Sequence, residues 1–243
     1  MIFVFLAFSA TASAAIINVP STGNETIQQA INNASDWDTI LVNATAYTGT
    51  TETVVVSKSN IIIRSVNGRA VIDANGADDH VVNITDQTNV TLQGFEIRDA
   101  RGITQNVTGI YMENASRCTI SNNVVTNISA NGNAYGILLR DSTNNSFSSS
   151  TNISYINATN LAYGIYLSSS TNNTFSSSTN VSYINATDYA LGIWLFSSSD
   201  NNSFDTTTVY NISSADNVAC GIFLRSSNDN TFSSGSISDV NAP

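Results

Sequence analysis

The sequence predicts an all-β solenoid of about seven coils, each about 28 residues long, with a short helix at the N-terminal end. The first observation is a short polar-apolar motif that recurs at intervals of 29, 29, 27, 28, 29 and 28 residues. The second is that apolar runs are short and polar turns separate them, with no helical periodicity in the repeats. The motif copies are Asn60-Ile61-Ile62, Asn89-Val90-Thr91, Cys118-Thr119-Ile120, Asn145-Ser146-Phe147, Asn173-Thr174-Phe175, Asn202-Ser203-Phe204 and Asn230-Thr231-Phe232.

The first fourteen residues predict a secretion signal. Residues 1–14 form an apolar run that ends in Ala12-Ser13-Ala14, a small-residue site of the kind that signal peptidase cleaves. A basic segment before the run is missing, which indicates a leader truncated at its start. The run is shorter than the roughly 20 residues that a membrane-spanning helix needs. We therefore expect a secreted or cell-surface protein without a transmembrane segment.

Residues 15–50 are predicted to form an N-terminal cap that contains the helix and the first strand. Thr22–Glu25 matches a capping box, and the next apolar residues fall at helical spacing on one face. Those residues are Ile27, Ala30, Ile31 and Ala34. We expect residues 22–38 to cover the apolar end of the first coil, and residues 39–42 to form a strand.

Residues 51–243 are predicted to form the coils, with like residues stacked on like. Five strands start at a glycine that isoleucine follows, and an aliphatic residue stands two places further on. Because side chains alternate along a strand, these two columns should face the interior, and a phenylalanine column should join them. We expect the repeats to continue beyond Pro243, since no segment near it closes the last coil. The columns are Ile110, Ile137, Ile165, Ile193 and Ile222; Met112, Leu139, Leu167, Leu195 and Leu224; and Phe147, Phe175, Phe204 and Phe232, with Ile120.

One asparagine precedes each phenylalanine strand and predicts a structural ladder. Its amide can donate to and accept from the equivalent amides in the coils above and below. Cys118 interrupts the column. The ladder residues are Asn145, Asn173, Asn202 and Asn230.

Composition excludes some classes of partner. The net charge is −10, and no basic stripe is present, so binding to nucleic acid or to anionic membranes is not expected. Sixteen Asn-X-Ser/Thr sequons fit an exported glycoprotein, although a chain this rich in Asn, Ser and Thr also produces them by composition alone. Cys118 and Cys220 lie three to four coils apart, so we expect two free thiols, with Cys220 buried.

These features together resemble the right-handed parallel β-helix proteins of the pectin-lyase-like superfamily. The residues that carry the resemblance are the exported start, the helix that ends in Asp36–Val42, the segment Ala70–Gly76, and Gly-Ile-Tyr-Leu followed by Asn-Asn-Thr-Phe. Within that superfamily they look like the NosD-type β-helix domain of secreted and cell-surface proteins. The superfamily includes pectate lyases, glycoside hydrolases, epimerases, adhesins and surface-layer proteins, so the resemblance implies a fold more firmly than an activity.

The best candidates for catalysis are Asp73, Asp78, Asp79 and His80. A glycoside hydrolase needs two carboxylates that face one groove, about 5 Å or about 6.5–9.5 Å apart. These residues surround Asn75-Gly76, a strong turn signal, so a solvated loop is the competing interpretation. No matching pair recurs on later coils, and Arg98, Asp99 and Arg101 match no lyase motif. We therefore predict no catalytic residue.

The sequence predicts no metal site and no cofactor. The name of the NosD-type domain is linked to maturation of a copper enzyme, and copper sites need clustered His, Cys or Met side chains. This chain has one histidine, one methionine in an interior column and two separated cysteines.

The middle residue of the Gly-Ile-X-Leu strands suggests a binding surface. If the aliphatic columns face inward, Tyr111, Tyr166, Trp194 and Phe223 face outward in a line and offer rings on which sugars can stack. The competing interpretation is that the turns at residues 156–163 and 184–191 fold back and bury this column.

The sequence therefore predicts an exported, non-catalytic surface module that binds carbohydrate or neighbouring surface proteins. Two alternatives remain open: a polysaccharide-active lyase or hydrolase, and a structural subunit of a surface array that associates end to end.

Overall fold

The computed structural model describes residues 13–47, 51–176 and 178–243, and it contains three parallel β-sheets and one short helix within those residues. Most of the predicted signal segment, residues 1–12, lies outside the described residues. The helix α1 spans Ile27–Asn33. The strands are β1 (Ile16–Val19), β2 (Thr39–Asn43), β3 (Val54–Val56), β4 (Ile62–Val66), β5 (Ala70–Asp73), β6 (Val82–Thr85), β7 (Thr91–Gln93), β8 (Phe95–Arg98), β9 (Arg101–Gly102), β10 (Val107–Glu113), β11 (Thr119–Ser121), β12 (Val124–Ala130), β13 (Asn133–Arg140), β14 (Ser146–Ser148), β15 (Asn152–Ala158), β16 (Leu161–Ser168), β17 (Thr174–Phe175), β18 (Asn180–Ala186), β19 (Tyr189–Phe196), β20 (Ser203–Asp205), β21 (Thr208–Ser214), β22 (Val218–Arg225), β23 (Thr231–Ser233) and β24 (Ser236–Asn241).

The chain winds through the three sheets in a fixed order, which makes it a right-handed parallel β-helix as predicted. Sheet 1 has the order β1-β2-β4-β7-β11-β14-β17-β20-β23, sheet 2 the order β22-β19-β16-β13-β10-β6-β3, and sheet 3 the order β24-β21-β18-β15-β12-β8-β5, with β9 also paired to β12. From β5 onward, each coil contributes one strand to sheet 3, then one to sheet 2, then one to sheet 1. Equivalent residues of successive coils therefore lie directly above one another.

The interior columns are confirmed except in the last coil, where Leu224 is 40% and Phe232 is 36% exposed. Ile137 pairs with Ile165 and Leu139 with Leu167, and all four side chains are fully buried. The rings of Phe147 and Phe175 stack in parallel at 4.4 Å between centroids, and the column continues to Phe204 at 4.6 Å and Phe232 at 4.8 Å. Burial of each such ring contributes about 1.5–3 kcal/mol, so repetition of a few residue types builds the core.

The helix begins four residues later than the predicted capping box. Thr26 is the N-cap: its Oγ1 accepts from the Gln29 backbone N at 3.1 Å, and Gln29 Oε1 accepts from the Thr26 backbone N at 3.1 Å. The prediction at Thr22–Glu25 was wrong because Ser21 and Asn24 bond each other's backbone in a turn, at 2.8 and 3.0 Å. Ile27, Ala30 and Ile31 are buried as the helical spacing predicts.

The structure also corrects the register of the repeated motif. Cys118 is equivalent to Asn145, and Val90 and Ile61 are its equivalents in the two earlier coils, because Thr119 pairs with both Ser146 and Thr91 and Thr91 pairs with Ile62. This column is apolar up to Cys118 and becomes asparagine from Asn145 onward. Cys118 therefore ends an apolar column and does not interrupt the ladder.

Asn60 and Asn89 belong to the position before this column. There the backbone is left-handed, with φ of 56° at Asn60, 56° at Asn89 and 58° at Asn144. Asparagine tolerates this conformation because its short polar side chain bonds nearby backbone. In each Asn-Asn pair of the later coils, the first residue turns the chain and the second enters the ladder.

Candidate functional site

The site is built on a bend in the strands of sheet 2. Regular pairing stops at Gly136: Tyr135 pairs with Tyr163, and pairing resumes with Ile137 and Ile165. A Cβ on Gly136 would lie 2.6 Å from the carbonyl oxygen of Gly164 and closer still to Ile153, so only glycine fits. The bend reverses the alternation of side chains, and the residue before the glycine therefore points outward, as does the residue two places after it.

Two outward columns consequently meet along the bend, and we call them together the aromatic cleft. The column before the glycines contains Thr108, Tyr135, Tyr163, Leu191 and Cys220, and the column after them contains Tyr111, Leu138, Tyr166, Trp194 and Phe223. Rings contact each other across the bend, with centroids 5.4 Å apart for Tyr163 and Tyr166 and 5.3 Å apart for Tyr163 and Trp194. The first column was not predicted from the sequence, although tyrosine recurs before the glycine in two neighbouring coils.

The predicted aromatic column is therefore neither a flat platform nor a strip covered by turns. Residues 152–158 and 161–168 are strands, so the turn that was expected to fold over the column does not exist in that form. Neighbouring rings cover the column instead: Tyr111 is only 8% exposed, Tyr166 and Trp194 are half-buried, and Phe223 is 41% exposed. Tyr166 and Trp194 stack face to face at 4.8 Å, so those faces contact each other.

A cavity opens where the first column changes to smaller side chains. Leu191 and Cys220 follow Tyr135 and Tyr163, and the space they leave belongs to a cavity of 590 Å³. Phe223 is tilted by 47° from Trp194 at 6.1 Å, so it leaves part of the indole face uncovered. The lining is Leu161, Tyr163, Tyr189, Leu191, Trp194, Val218, Ala219, Cys220, Phe223 and Arg225. We call this space the Trp194 cavity.

A second cavity lies at the opposite end of the cleft. It has a volume of 260 Å³, and His80, Thr108, Tyr111 and Arg140 are among its lining residues. The His80 ring stacks on Tyr111 at 4.5 Å, which closes that end of the aromatic stack. Each cavity has an arginine as its charged lining residue, and no carboxylate lines either one.

Three buried polar atoms in the cleft have no hydrogen-bond partner within the described part of the chain. They are Trp194 Nε1, His80 Nδ1 and Thr108 Oγ1. Each of these atoms has almost no surface that solvent can reach, so they are unsatisfied polar atoms inside the wall of the cleft. Burial lowers the pKa of His80 below its usual value and raises the pKa of Tyr111 to about 12, so both rings are uncharged near neutral pH.

The structure gives the candidate catalytic aspartates separate contacts. Asp73 Oδ2 forms a salt bridge with Arg98 Nη2 at 3.0 Å. Asp79 Oδ1 accepts from the His80 backbone N at 2.7 Å. Each carboxylate therefore has a neighbour of its own, and His80 lies in the aromatic cleft.

Asp78 holds the loop that follows β9. Its carboxylate accepts from the backbone N of Ile103 at 2.9 Å, from the backbone N of Thr104 at 3.0 Å and from Thr104 Oγ1 at 2.5 Å. The hydrogen bond from the Thr104 hydroxyl is the main reason that the pKa of Asp78 is lowered. These contacts are those of a loop anchor.

The asparagine ladder lies inside the coils, away from the cleft. Asn145 Nδ2 donates to Asn173 Oδ1 at 3.0 Å, Asn173 Nδ2 to Asn202 Oδ1 at 3.1 Å, and Asn202 Nδ2 to Asn230 Oδ1 at 3.1 Å. Each of these amides also bonds backbone of a neighbouring coil, as Asn145 Nδ2 does with the Ala115 carbonyl at 3.0 Å. The ladder stabilises the turns.

Both cysteines are free thiols, as predicted. Cys118 is buried, but the prediction that Cys220 is buried was wrong, since it is half-buried and lines the Trp194 cavity. The reason is the bend, which turns the residue before each glycine outward. Burial raises the pKa of both thiols.

Comparison with solved structures establishes the fold. The pectate lyase Pel9A superposes with a TM-score of 0.63 at 16% identity, over 84% of this chain and 55% of Pel9A. An alginate lyase from Paenibacillus sp. str. FPU-7 superposes with a TM-score of 0.50 at 14% identity, over 91% of this chain and 99% of the lyase. The chain has the fold of these lyases. At this level of identity, the likeness of the parallel β-helix is one of fold and not of activity.

Comparison of sequences gives a cell-surface relative. The chain is 32% identical over 139 residues to a cell surface glycoprotein of Methanothermus fervidus. The match covers 56% of this chain and 21% of the glycoprotein, so the chain spans about a fifth of the length of that curated relative. No protein-family model matches the sequence.

In the described ranges, no helix has the length and apolar character to cross a bilayer. In those same ranges, no group of three or more His, Cys, Asp or Glu side chains is arranged to hold a metal ion.

Proposed function

We propose that this protein is an exported, non-catalytic surface module that binds carbohydrate in the Trp194 cavity. The observation that carries the proposal is a cavity of 590 Å³ lined by tyrosine, tryptophan and phenylalanine rings. Apolar faces of sugars pack on aromatic rings, and their hydroxyl oxygens accept hydrogen bonds.

Each part of the cavity has a role in this proposal. A sugar packs against the indole face that the tilted Phe223 leaves uncovered. Arg225, whose guanidinium carbon lies 5.8 Å from the centre of the Phe196 ring, donates to a further hydroxyl or to a carboxylate at the cavity rim.

The assignment to the cell surface rests on the glycoprotein relative and on the predicted secretion signal. The 32% identity covers 139 residues, enough to include several coils. The sixteen sequons fit the same location. NosD-type membership, glycosylation at particular sequons and contact with neighbouring surface proteins remain predictions.

The absence of catalysis is proposed from the contacts of the candidate acids. Asp78 holds a loop, and the two cleft cavities have no carboxylate in their lining. Asp73 and Asp99 line a cavity on sheet 3, but both form salt bridges with Arg98 at 3.0 Å. A hydrolase needs two carboxyl groups on either side of one bond.

A glycan array probed with matched variants tests the proposal. We expect the double variant Tyr166→Ala/Trp194→Ala to lose at least about tenfold in affinity, since each ring contact is worth about 0.5–1.5 kcal/mol and tenfold is about 1.4 kcal/mol. Phe223→Ser is a milder variant of an exposed ring and should weaken binding without affecting the fold. Trp37→Ala, which removes the chain's other tryptophan far from the cleft, should bind as wild type does.

Two results would overturn the proposal. One is unchanged glycan binding by both cleft variants with circular dichroism like that of wild type. The other is release of new reducing ends from a polysaccharide panel by wild type but not by Asp79→Asn, which would establish the enzyme alternative. Self-association without any glycan binding would favour the array subunit.

A further inference from the structure

A position on sheet 3 is left-handed in six successive coils. Its occupants are Asp99, Asn127, Tyr155, Tyr183, Asn211 and Asp239, with φ of 63°, 57°, 55°, 54°, 55° and 53°. Asparagine and aspartate adopt this conformation readily, whereas a bulky aromatic residue there is an outlier. The two central coils therefore carry tyrosine at a position where the flanking coils carry the favoured residues.

Burial does not explain these two tyrosines. Tyr155 is 51% exposed and Tyr183 is 37% exposed. Their rings stack in parallel at 4.8 Å with an interplanar angle of 6°. Backbone strain that is not offset by packing is typical of residues with a role at a surface.

One ring face at the end of this stack is open. Tyr183 meets the edge of Tyr210 on its far side, at 5.9 Å and 71°. On the near side of Tyr155, the equivalent residue of the preceding coil is Asn127, whose side chain is too small to cover a phenol ring. Asn127 Nδ2 is moreover hydrogen-bonded to Asp99 of the coil before it.

A polar groove runs beside this open face. Asn127, Ser129, Arg101 and the carboxylates Asp73 and Asp99 are among the residues that line a cavity of 340 Å³. Arg101 and Ser129 continue into a second cavity of 420 Å³, whose lining also includes Asn157, Thr159, Asn185 and Thr187. Asn185 Nδ2 donates to Asn157 Oδ1 at 3.1 Å, which orders the amides along the axis.

Arg101 supplies an unpaired positive charge to both cavities. Its side chain is exposed, and it forms no salt bridge with any residue that the structure describes, unlike its neighbour Arg98. Amides, hydroxyls and a free guanidinium are the groups that bond sugar hydroxyls and ring oxygens. Protein interfaces have an apolar centre with charged groups at the rim, and this groove has no such centre.

We propose that this groove is a second carbohydrate-binding site, separate from the aromatic cleft. A linear polysaccharide lies along the solenoid axis. One sugar packs on the open face of Tyr155 above Asn127, and the next sugars bond Ser129, Arg101 and the amides of Asn157 and Asn185. The site does not depend on the proposed function of the Trp194 cavity, because the two lie on different sheets.

The variant Tyr155→Asn/Tyr183→Asn tests the site, because it installs the residue that Asn127 and Asn211 already supply at the same position. We expect its melting temperature to stay at or above that of wild type. Its affinity for the oligosaccharide that binds the groove should fall at least tenfold. Titration calorimetry with chitohexaose, cellohexaose and hexagalacturonate as separate probes measures the dissociation constants of the groove and of the Trp194 cavity.

The cleft variant Tyr166→Ala/Trp194→Ala is the matched control, since it should retain groove binding in full. If the tyrosine variant binds all three oligosaccharides as wild type does, or if wild type binds none of them, the groove is not a glycan site. If the substitutions abolish self-association or capture of a protein and leave sugar binding unchanged, the tyrosines form a protein interface and the proposal is wrong. If the cleft variant loses binding at the Trp194 cavity but keeps binding at the groove, only the cleft proposal is affected, so the two sites are tested separately.

Discussion

At single positions, backbone conformation distinguishes residues with a structural role from residues with a role in binding at the surface. The left-handed position on sheet 3 costs most residues about 1–2 kcal/mol, and less for asparagine and aspartate. Asn127 and Asn211 occupy it at low cost, whereas Tyr155 and Tyr183 occupy it with their rings largely exposed. Asn144 and Asn172 are also left-handed, and as asparagines they act as turn residues with no surface role implied.

His80, the chain's only histidine, should make stability depend on pH. Burial lowers its pKa below the usual 6.5, with a smaller contribution from Arg140 that Asp79 and Glu113 oppose. As pH falls below 6.5, the unfolded chain takes up a proton that the folded chain does not, so the free energy of unfolding falls. We expect His80→Phe, which keeps a ring for stacking on Tyr111, to remove this loss.

Urea unfolding of wild type and His80→Phe at about pH 7.5 and about pH 5.5 measures the effect above the range in which most carboxylates titrate. Equal loss of stability in the two proteins would show that His80 does not contribute to it.

Among the structural elements, loss of the asparagine ladder should lower the free energy of unfolding most. Asn173 Oδ1 accepts from Asn145 N at 2.9 Å and Asn145 Nδ2 at 3.0 Å, and Asn173 Nδ2 donates to the Ser142 carbonyl and Asn202 Oδ1. Asn173→Ala leaves several buried partners unbonded, so we expect it to lower the free energy of unfolding by about 3 kcal/mol. Chemical denaturation measures this change.

The neighbouring Asn172 provides the control for that experiment. It is exposed and left-handed, and Asn172→Gly keeps that conformation available. We expect a change of less than about 0.5 kcal/mol. Similar losses in both variants would mean that the turn, and not the ladder, is the stabilising element.

The sequence predicts the interior of the coils well and their outer surface poorly. Ile165 and Leu167 repeat one residue type at one position, so periodicity alone places them inside. Alternation from Ile137 and Leu139 would also place Tyr135 inside, but the bend at Gly136 turns it into the cleft. The spacing of the glycines does not predict the bend, because glycine in a strand is equally typical of a bulge or of a close backbone approach.

The candidate acids could not be judged from the sequence for a similar reason. Asp73 and Asp78 are close in sequence, but their partners Arg98 and Thr104 come from the next coil, 25 and 26 residues away. The left-handed Asn60 and Asn89 were aligned in one repeated motif with the ladder residues, because asparagine serves both in left-handed turns and in the ladder. Only the strand register separates the two.

For the whole molecule, stability should follow the number of complete coils and not the identity of any one of them. Asn152 is equivalent to Asn180, so deletion of residues 152–179 joins two equivalent positions and removes one coil of 28 residues. Because each coil contacts only its neighbours, we expect a folded solenoid shorter by about 4.8 Å, with the far-UV circular dichroism of a β-helix. Deletion of residues 152–165, half a coil, removes β15 and most of β16, so the remaining half coil cannot pair in register and cooperative unfolding should be abolished. Small-angle scattering and thermal melts distinguish the two, and equal disruption by both deletions would mean that the coils are not interchangeable units of the fold.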